Sequence, residues 1–216
     1  YFRSKRYQMI WLTDTIEFPS YESTSNEGII ALGGDLSEER LIHAYNNGIF
    51  PWYSEGDPIV WYCPHKRMVL FPEAIKVSKS MQKIMNNNNY TITENKAFSE
   101  VIYNCKTIDR KDGFGTWITG EMEQAYINLH QKGHAKSIEI WLGNELVGGL
   151  YGLEINNIFC GESMFSKVSN TSKLAFIHLA RNKEYTLIDC QIYNQHLERL
   201  GAKEIDRSTF LQILKS

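Results

Sequence analysis

Ser137-Ile-Glu-Ile-Trp141-Leu-Gly143-Asn144-Glu145-Leu-Val-Gly-Gly-Leu-Tyr-Gly-Leu-Glu-Ile155-Asn156-Asn157-Ile158-Phe-Cys-Gly-Glu-Ser-Met-Phe-Ser166 is the run that decides the fold. From Ser137 to Trp141 the side chains alternate as in a strand. Gly143-Asn144 reads as a hairpin turn, because both residue types tolerate positive φ. Glu145 to Ile155 reads as the next strand, Asn156-Asn157 as the next turn, and Ile158 onward as a third strand. Three strands joined by two tight turns predict a meander.

The flanks extend this pattern. Upstream, Thr119 caps a helix whose Met122, Ala125, Tyr126 and Leu129 repeat with helical spacing, and Gly133 stops it. Downstream come an apolar helix from about Ser172 to Ala180, a strand from Thr186 to Cys190, and a last amphipathic helix from about Asn194 to Leu200, stopped by Gly201. The N-terminal third is rich in Trp, Tyr, Gly and Pro. Within it Ser37 caps a helix, Glu38 and Glu39 suit the first turn, and Asn47-Gly48 ends it. A second short helix follows Val77-Ser78 and ends in the tract Asn86 to Asn89. A boundary falls near that tract, between about residues 86 and 96, giving a small N-terminal domain (1–90) and a second domain (91–216). The fold class is α+β. The order helix, meander, helix, strand, helix is that of GNAT-type acyltransferase domains, an analogy that carries no function by itself.

Composition narrows the function classes. The chain has 216 residues, of which 43% are hydrophobic and 22% charged, enough for a substantial core. No apolar run reaches the roughly 18 residues of a membrane span, and no signal peptide is visible. Cys63, Cys105, Cys160 and Cys190 form no C-x-x-C pair, which suits reduced thiols in a cytoplasmic protein rather than a disulfide or zinc framework. His130 and His134 are separated by Gln-Lys-Gly, and a metal role there is not expected. With a net charge of −2, any polyanion must be held by a local basic patch.

Candidate chemistry concentrates between Gly161 and Gln191. Glu162 follows a glycine at a strand end among Phe159, Met164 and Phe165. Two readings fit it: a salt-bridged carboxylate beside core hydrophobes, or an anion that receives an amine while its neighbours form an apolar pocket. The second suits an α-amino acid with a large apolar side chain. Asp189 and Gln191 face one side if their strand persists. They read as a base or electrostatic anchor with an amide to orient it, or as a strand-end hydrogen-bond network. Cys190 points the other way without a local base and is rejected as a nucleophile.

Other motifs are less specific. Gly148, Gly149 and Gly152 permit close backbone approach by a ligand. Trp52 and Trp117 sit at turns and offer faces on which a nucleobase can stack, while most other aromatics seal a core. Lys76, Lys79 and Lys83 line one face if their segment is helical, as a phosphate-binding stripe or a solvated surface. Lys66 and Arg67 read the same way.

With these pieces in place, the chain resembles the leucyl/phenylalanyl-tRNA–protein transferases, bacterial enzymes of the N-degron pathway. The resemblance rests on Gly33-Gly34-Asp35-Leu36-Ser37, Ala44-Tyr45, Gly48-Ile49-Phe50-Pro51-Trp52, Gly115-Thr116-Trp117-Ile118, Leu146 to Gly152, Gly161 to Ser166, Ser172-Lys173, Leu187 to Gln191 and His196-Leu197. These run colinearly from about residue 18 to 210. The resemblance implies a small N-terminal αβ domain packed on a GNAT-like C-terminal domain, no metal and no coenzyme. It implies transfer of Leu or Phe, sometimes Met, from aminoacyl-tRNA to a protein N-terminal Arg or Lys. Glu162 would contact the α-amino group, Leu150, Phe159 and Met164 would border the apolar pocket, and Trp52 and Trp117 would hold the terminal adenosine. Asp189 and Gln191 would assist the acceptor amine, and Lys76, Lys79 and Lys83 are the tRNA-phosphate candidates. A monomer is expected. The competing reading, an acetyl-CoA-dependent GNAT N-acetyltransferase, needs a glycine-bearing pyrophosphate loop, where this chain has Ser166-Lys-Val-Ser-Asn-Thr-Ser-Lys173.

Overall fold

The quoted run folds as the predicted meander in the computed structural model, which describes residues 9–87, 89–108, 117–182 and 184–216. The N-terminal part carries a four-stranded sheet in the order β1-β2-β4-β3, formed by β1 (Trp11–Leu12), β2 (Ile29–Gly33), β3 (Phe50–Pro51) and β4 (Val60–Tyr62). Helix α1 (Glu38–Asn46) links β2 to β3, and the Ser37 side chain accepts from the Arg40 N–H at its start, as the sequence predicts.

The larger sheet has seven strands: β5 (Lys66–Leu70), β6 (Tyr90–Glu94), β7 (Ala135–Leu142), β8 (Glu145–Ile155), β9 (Ile158–Ser166), β10 (Leu187–Gln191) and β11 (Lys203–Asp206), in the order β11-β5-β10-β9-β8-β7-β6. β7, β8 and β9 pair antiparallel, β10 returns parallel to β9, and β5 pairs antiparallel with both β10 and β11. The parallel return needs a crossover, supplied by α5 (Thr171–Asn182). The other helices are α2 (Lys79–Asn86), α3 (Phe98–Thr107), α4 (Gly120–Gln131), α6 (Gln195–Arg199) and α7 (Arg207–Leu214). Ser78 and Thr119 cap α2 and α4 through their side-chain oxygens.

Two hydrophobic clusters form on this frame. One joins Val101 and Ile102 of α3 and Met122, Tyr126 and Leu129 of α4 to Tyr151, Leu153, Cys160 and Phe165. The other joins Leu174, Phe176, Ile177 and Leu179 of α5 to Val147, Leu150, Phe159 and Ile188. A meander strand with helices on both faces must be apolar on both, which is why β8 is buried along most of its length. The four cysteines are free, and among the described residues no helix is long and apolar enough to cross a membrane.

The structure departs from the sequence reading at several points. Asn194 to Leu200 is not the last helix, since β11 and α7 follow it. Lys76 lies ahead of α2 and not on it, so only Lys79 and Lys83 share a helical face. The chain passes from the smaller sheet to the larger between Tyr62 and Lys66, upstream of the compositional boundary at 86–96. The glycines of β8 admit neighbouring chain: a Cβ on Gly148 would lie 2.2 Å from Thr171 Oγ1, and one on Gly152 would lie 2.2 Å from the Cys160 carbonyl oxygen. Because that carbonyl is backbone and cannot swing away, Gly152→Ala is expected to destabilise the fold by about 1–3 kcal/mol. Urea unfolding would show it as a lower midpoint at unchanged slope.

Candidate active site

β8, β9, β10, the turn after β3 and the approach to α4 surround one cleft of about 1220 Å³. Trp52, Trp117, Leu150, Phe159, Glu162, Met164, Asp189 and Gln191 all line it, so eight residues singled out in the sequence meet at one place. Lys76, Lys79 and Lys83 are exposed and do not line it. Gly115 and Thr116, which precede Trp117, lie outside the described residues.

Glu162 occupies the wall of the cleft and is 9% exposed. Its Oε1 accepts from the Tyr45 hydroxyl at 2.6 Å and from Gln191 Nε2 at 2.7 Å, and its Oε2 accepts from the Tyr126 hydroxyl at 3.2 Å. The two tyrosine hydroxyls also touch each other. Burial outweighs the donation from Tyr45, Tyr126 and Gln191 and, with the nearby Asp189 charge, pushes the Glu162 carboxyl pKa up to about 8. The raised pKa favours the protonated carboxyl group in the unliganded protein, and an arriving cation would favour release of that proton to solvent.

Asp189 is fully buried and is clasped by Arg67, itself 2% exposed. Arg67 Nε donates to Oδ1 at 2.8 Å and Nη2 to Oδ2 at 2.6 Å. Its Nη1 donates to the Gly48 carbonyl at 3.0 Å, and its guanidinium lies 4.7 Å and 4.6 Å from the ring centroids of Phe50 and Phe210. This is a bidentate ion pair sheathed in aromatic rings, and it differs from the basic surface position expected of Arg67. Asp189 Oδ1 also accepts from the Gln191 backbone N–H at 2.9 Å.

That last bond belongs to a break in β10. The strand does not persist: the β5–β10 register shifts between Asp189 and Gln191, and Gln191 has φ +65°. A left-handed glutamine is uncommon and persists where its surroundings hold it. The two side chains consequently part company, Asp189 turning to Arg67 and Gln191 to Glu162. Both Asp189 oxygens are engaged by Arg67, and Oδ1 also holds the Gln191 backbone. The Gln191 carboxamide, fixed through Nε2, presents its oxygen as the accepting end. Cys190 also lines the cleft, and burial pushes its thiol well up, away from the reactive thiolate.

Sequence reasoning missed Tyr45, Tyr126 and Arg67. Tyr126 was visible only as one member of an apolar helical repeat, and Tyr45 only within a matched dipeptide. Among the described residues no group of three or more His, Cys, Asp or Glu side chains is placed to hold a metal ion.

Comparison with known proteins bears on the family. The family model described as leucyl/phenylalanyl-tRNA protein transferase matches residues 69–215, and the model of that family's N-terminal domain matches residues 34–65. The chain is 53% identical over 210 residues to a leucyl/phenylalanyl-tRNA–protein transferase of Flavobacterium psychrophilum, covering 96% of this chain and 100% of that protein. Its identity to the Flavobacterium johnsoniae protein of the same name is 54% over 211 residues, with the same coverage of 96% and 100%. Among solved structures, a GCN5-related N-acetyltransferase from Kribbella flavida is similar at a TM-score of 0.37 and 9% identity, covering 72% of this chain and 56% of that one. That score is too low to add to what the strand order itself says.

Proposed function

This chain belongs to the leucyl/phenylalanyl-tRNA protein transferase family, and from that premise we propose that it moves Leu or Phe, with Met a further donor, from aminoacyl-tRNA to the N-terminal Arg or Lys of acceptor proteins. It is an aminoacyltransferase. The proposal includes that it acts in the cytoplasm as a monomer and that the transfer marks the acceptor for degradation.

One observation carries the reading: a buried carboxyl group, Glu162, hydrogen-bonded by Tyr45, Tyr126 and Gln191 at the wall of a cleft that Leu150, Phe159 and Met164 also line. Such a wall satisfies both ends of an aminoacyl group. The side chain enters the apolar part, and the α-ammonium meets Glu162, whose Oε2 accepts from the Tyr126 hydroxyl and, as a carboxylate oxygen, has a second lone pair for another donor. Trp52 and Trp117 would stack the terminal adenosine at the other end of the cleft, with Lys76, Lys79 and Lys83 candidates for tRNA phosphates outside it.

The reaction asks little of acid–base chemistry. The acceptor amine attacks the ester carbonyl, the C–N bond forms, the C–O bond to the ribose breaks, and the amine proton passes to the leaving ribose oxygen. The ester is already activated, so positioning supplies much of the rate. Gln191 would accept a hydrogen bond from the attacking amine, with Asp189 and Arg67 holding its backbone.

The acetyltransferase alternative finds no support at the start of α5. There the Ser172 N–H donates to Ser166 Oγ at 2.9 Å, Ser166 Oγ donates to Ser172 Oγ at 2.8 Å, and Thr171 Oγ1 donates to the Val147 carbonyl at 2.9 Å. The groups that would cradle a pyrophosphate are bound to the chain itself.

The test is transfer of labelled Leu or Phe from tRNA to a protein bearing N-terminal Arg, followed as acid-stable label. Label that appears with N-terminal Arg or Lys and not with N-terminal Ala is the expected result. Equal labelling of all three acceptors, or none by folded protein, would overturn the proposal.

A further inference from the structure

Helix α6 follows Gln191 closely, and Asn194, its N-cap, and His196 in its first turn both line the cleft. At the other end of α6 the Leu200 carbonyl accepts from the Lys76 N–H at 2.9 Å, which ties the helix to the segment leading into α2. Resting on the aminoacyl-transfer reading above, we infer that α6 and the start of α5 carry the phosphates of the donor's single-stranded 3′ end, from the face bearing Lys79 and Lys83 into the cleft, with His196, Arg199 and Lys173 as the contacts.

The charges along this path are uncompensated. His196 and Arg199 stand three residues apart and share one face of α6. Lys173 approaches from α5: burial first, then the Lys173 and Arg199 charges, hold the His196 pKa below the usual imidazole range. Lys173 Nζ donates to the Asn170 carboxamide oxygen at 3.0 Å, a neutral partner that leaves its charge open. Among the described residues neither Lys173 nor Arg199 is ion-paired to a carboxylate, and the His196 ring has no hydrogen-bond partner. Elsewhere Lys66, Lys106, Lys132 and Lys136 each face a carboxylate. The acids on the path are Glu73, in the turn before Lys76, and Glu198, which accepts from the Tyr193 hydroxyl at 2.8 Å.

A chain of net charge −2 attracts a polyanion only where its cations gather without partners. The three side chains here suit phosphate in different ways. Arg199 is exposed and offers a planar fork of N–H donors, Lys173 offers a point charge, and a neutral His196 offers one ring N–H at the cleft itself. The path also answers a need of geometry. Lys79 and Lys83 lie outside the cleft, whereas the ester must react beside Glu162 and Gln191. A strand held at both places has to cross between them, and α6 touches both.

The experiment compares kcat/KM for two donors, Phe-tRNA and the phosphate-free 3′-phenylalanyl-adenosine, in the wild-type protein and in Lys173→Gln with Arg199→Gln. The expected result is a loss with Phe-tRNA at least about tenfold greater than the loss with the adenosine donor. The slope of log kcat/KM for Phe-tRNA against log salt should become shallower by about 1.4, at about 0.7 for each single-strand phosphate contact removed. The ratio between donors does not depend on the folded fraction of a sample, and Arg199→Gln alone, at an exposed position, carries half the effect on the slope. Equal losses with both donors, or none with Phe-tRNA, would overturn the path. So would an equal loss from Lys96→Gln with Lys132→Gln, which removes the same charge elsewhere. A folded wild-type protein that transferred from neither donor would instead overturn the function on which the inference rests.

Discussion

Arg67→Met is expected to abolish transfer and to destabilise the protein by about 3–5 kcal/mol, the range for removing one partner of a buried ion pair. Asp189, wholly buried, would be left with no countercharge. Lysine does not rescue the position, since one ammonium cannot span two carboxylate oxygens and the Gly48 carbonyl while stacking between Phe50 and Phe210. The informative companion is Arg67→Met with Asp189→Leu, which replaces the pair by apolar groups. Such replacements are often neutral or stabilising, so the urea midpoint should recover most of the loss. Transfer should not recover, because the Asp189 acceptor that holds the Gln191 backbone N–H is gone. A double variant that regained activity together with stability would show that the ion pair serves the fold alone.

That pair also marks where sequence reading ends. Caps at Ser37 and Thr119 are local devices, each a side chain reaching an N–H three residues on, and they were legible. So was the meander, because its turns and strands adjoin in sequence. Arg67 and Asp189 are separated by 122 residues and meet through the β5–β10 pairing, which no periodicity announces. Arginine is mostly exposed, so the surface was the natural expectation for it. β11 was hidden for another reason: Lys203-Glu204-Ile205-Asp206 has one apolar residue and lies at the sheet edge, where charge is common and alternation is absent. The bulge at Gln191 had no signal either, since the period-two rule assumes the unbroken strand that the structure lacks.

Glu162→Gln is expected to lower transfer at least tenfold and as much as a hundredfold, because a hydrogen bond to a charged group contributes about 1.5–3 kcal/mol and the amide offers the ammonium no charge. The stronger test is the proton balance. In the free protein burial pushes the carboxyl pKa up to about 8, and a free α-amine titrates at about 7.7–8.0. In the complex one proton is shared between carboxylate and ammonium. Binding of a non-reactive aminoacyl-adenosine amide should therefore release nearly one proton at pH about 6.5, none near pH about 8, and take up nearly one at pH about 9. Calorimetry in buffers of different ionisation enthalpy reads this directly, and release that stayed constant across the range would remove Glu162 as the amine anchor. Stability carries the same signature. A folded-state value above the unfolded one means that the unfolded chain binds fewer protons between pH about 4.5 and 8. Glu162 thus contributes fully below that window and loses its contribution as pH rises through about 8. The Gln variant, which cannot titrate, should lose that slope while keeping the rest of the pH profile.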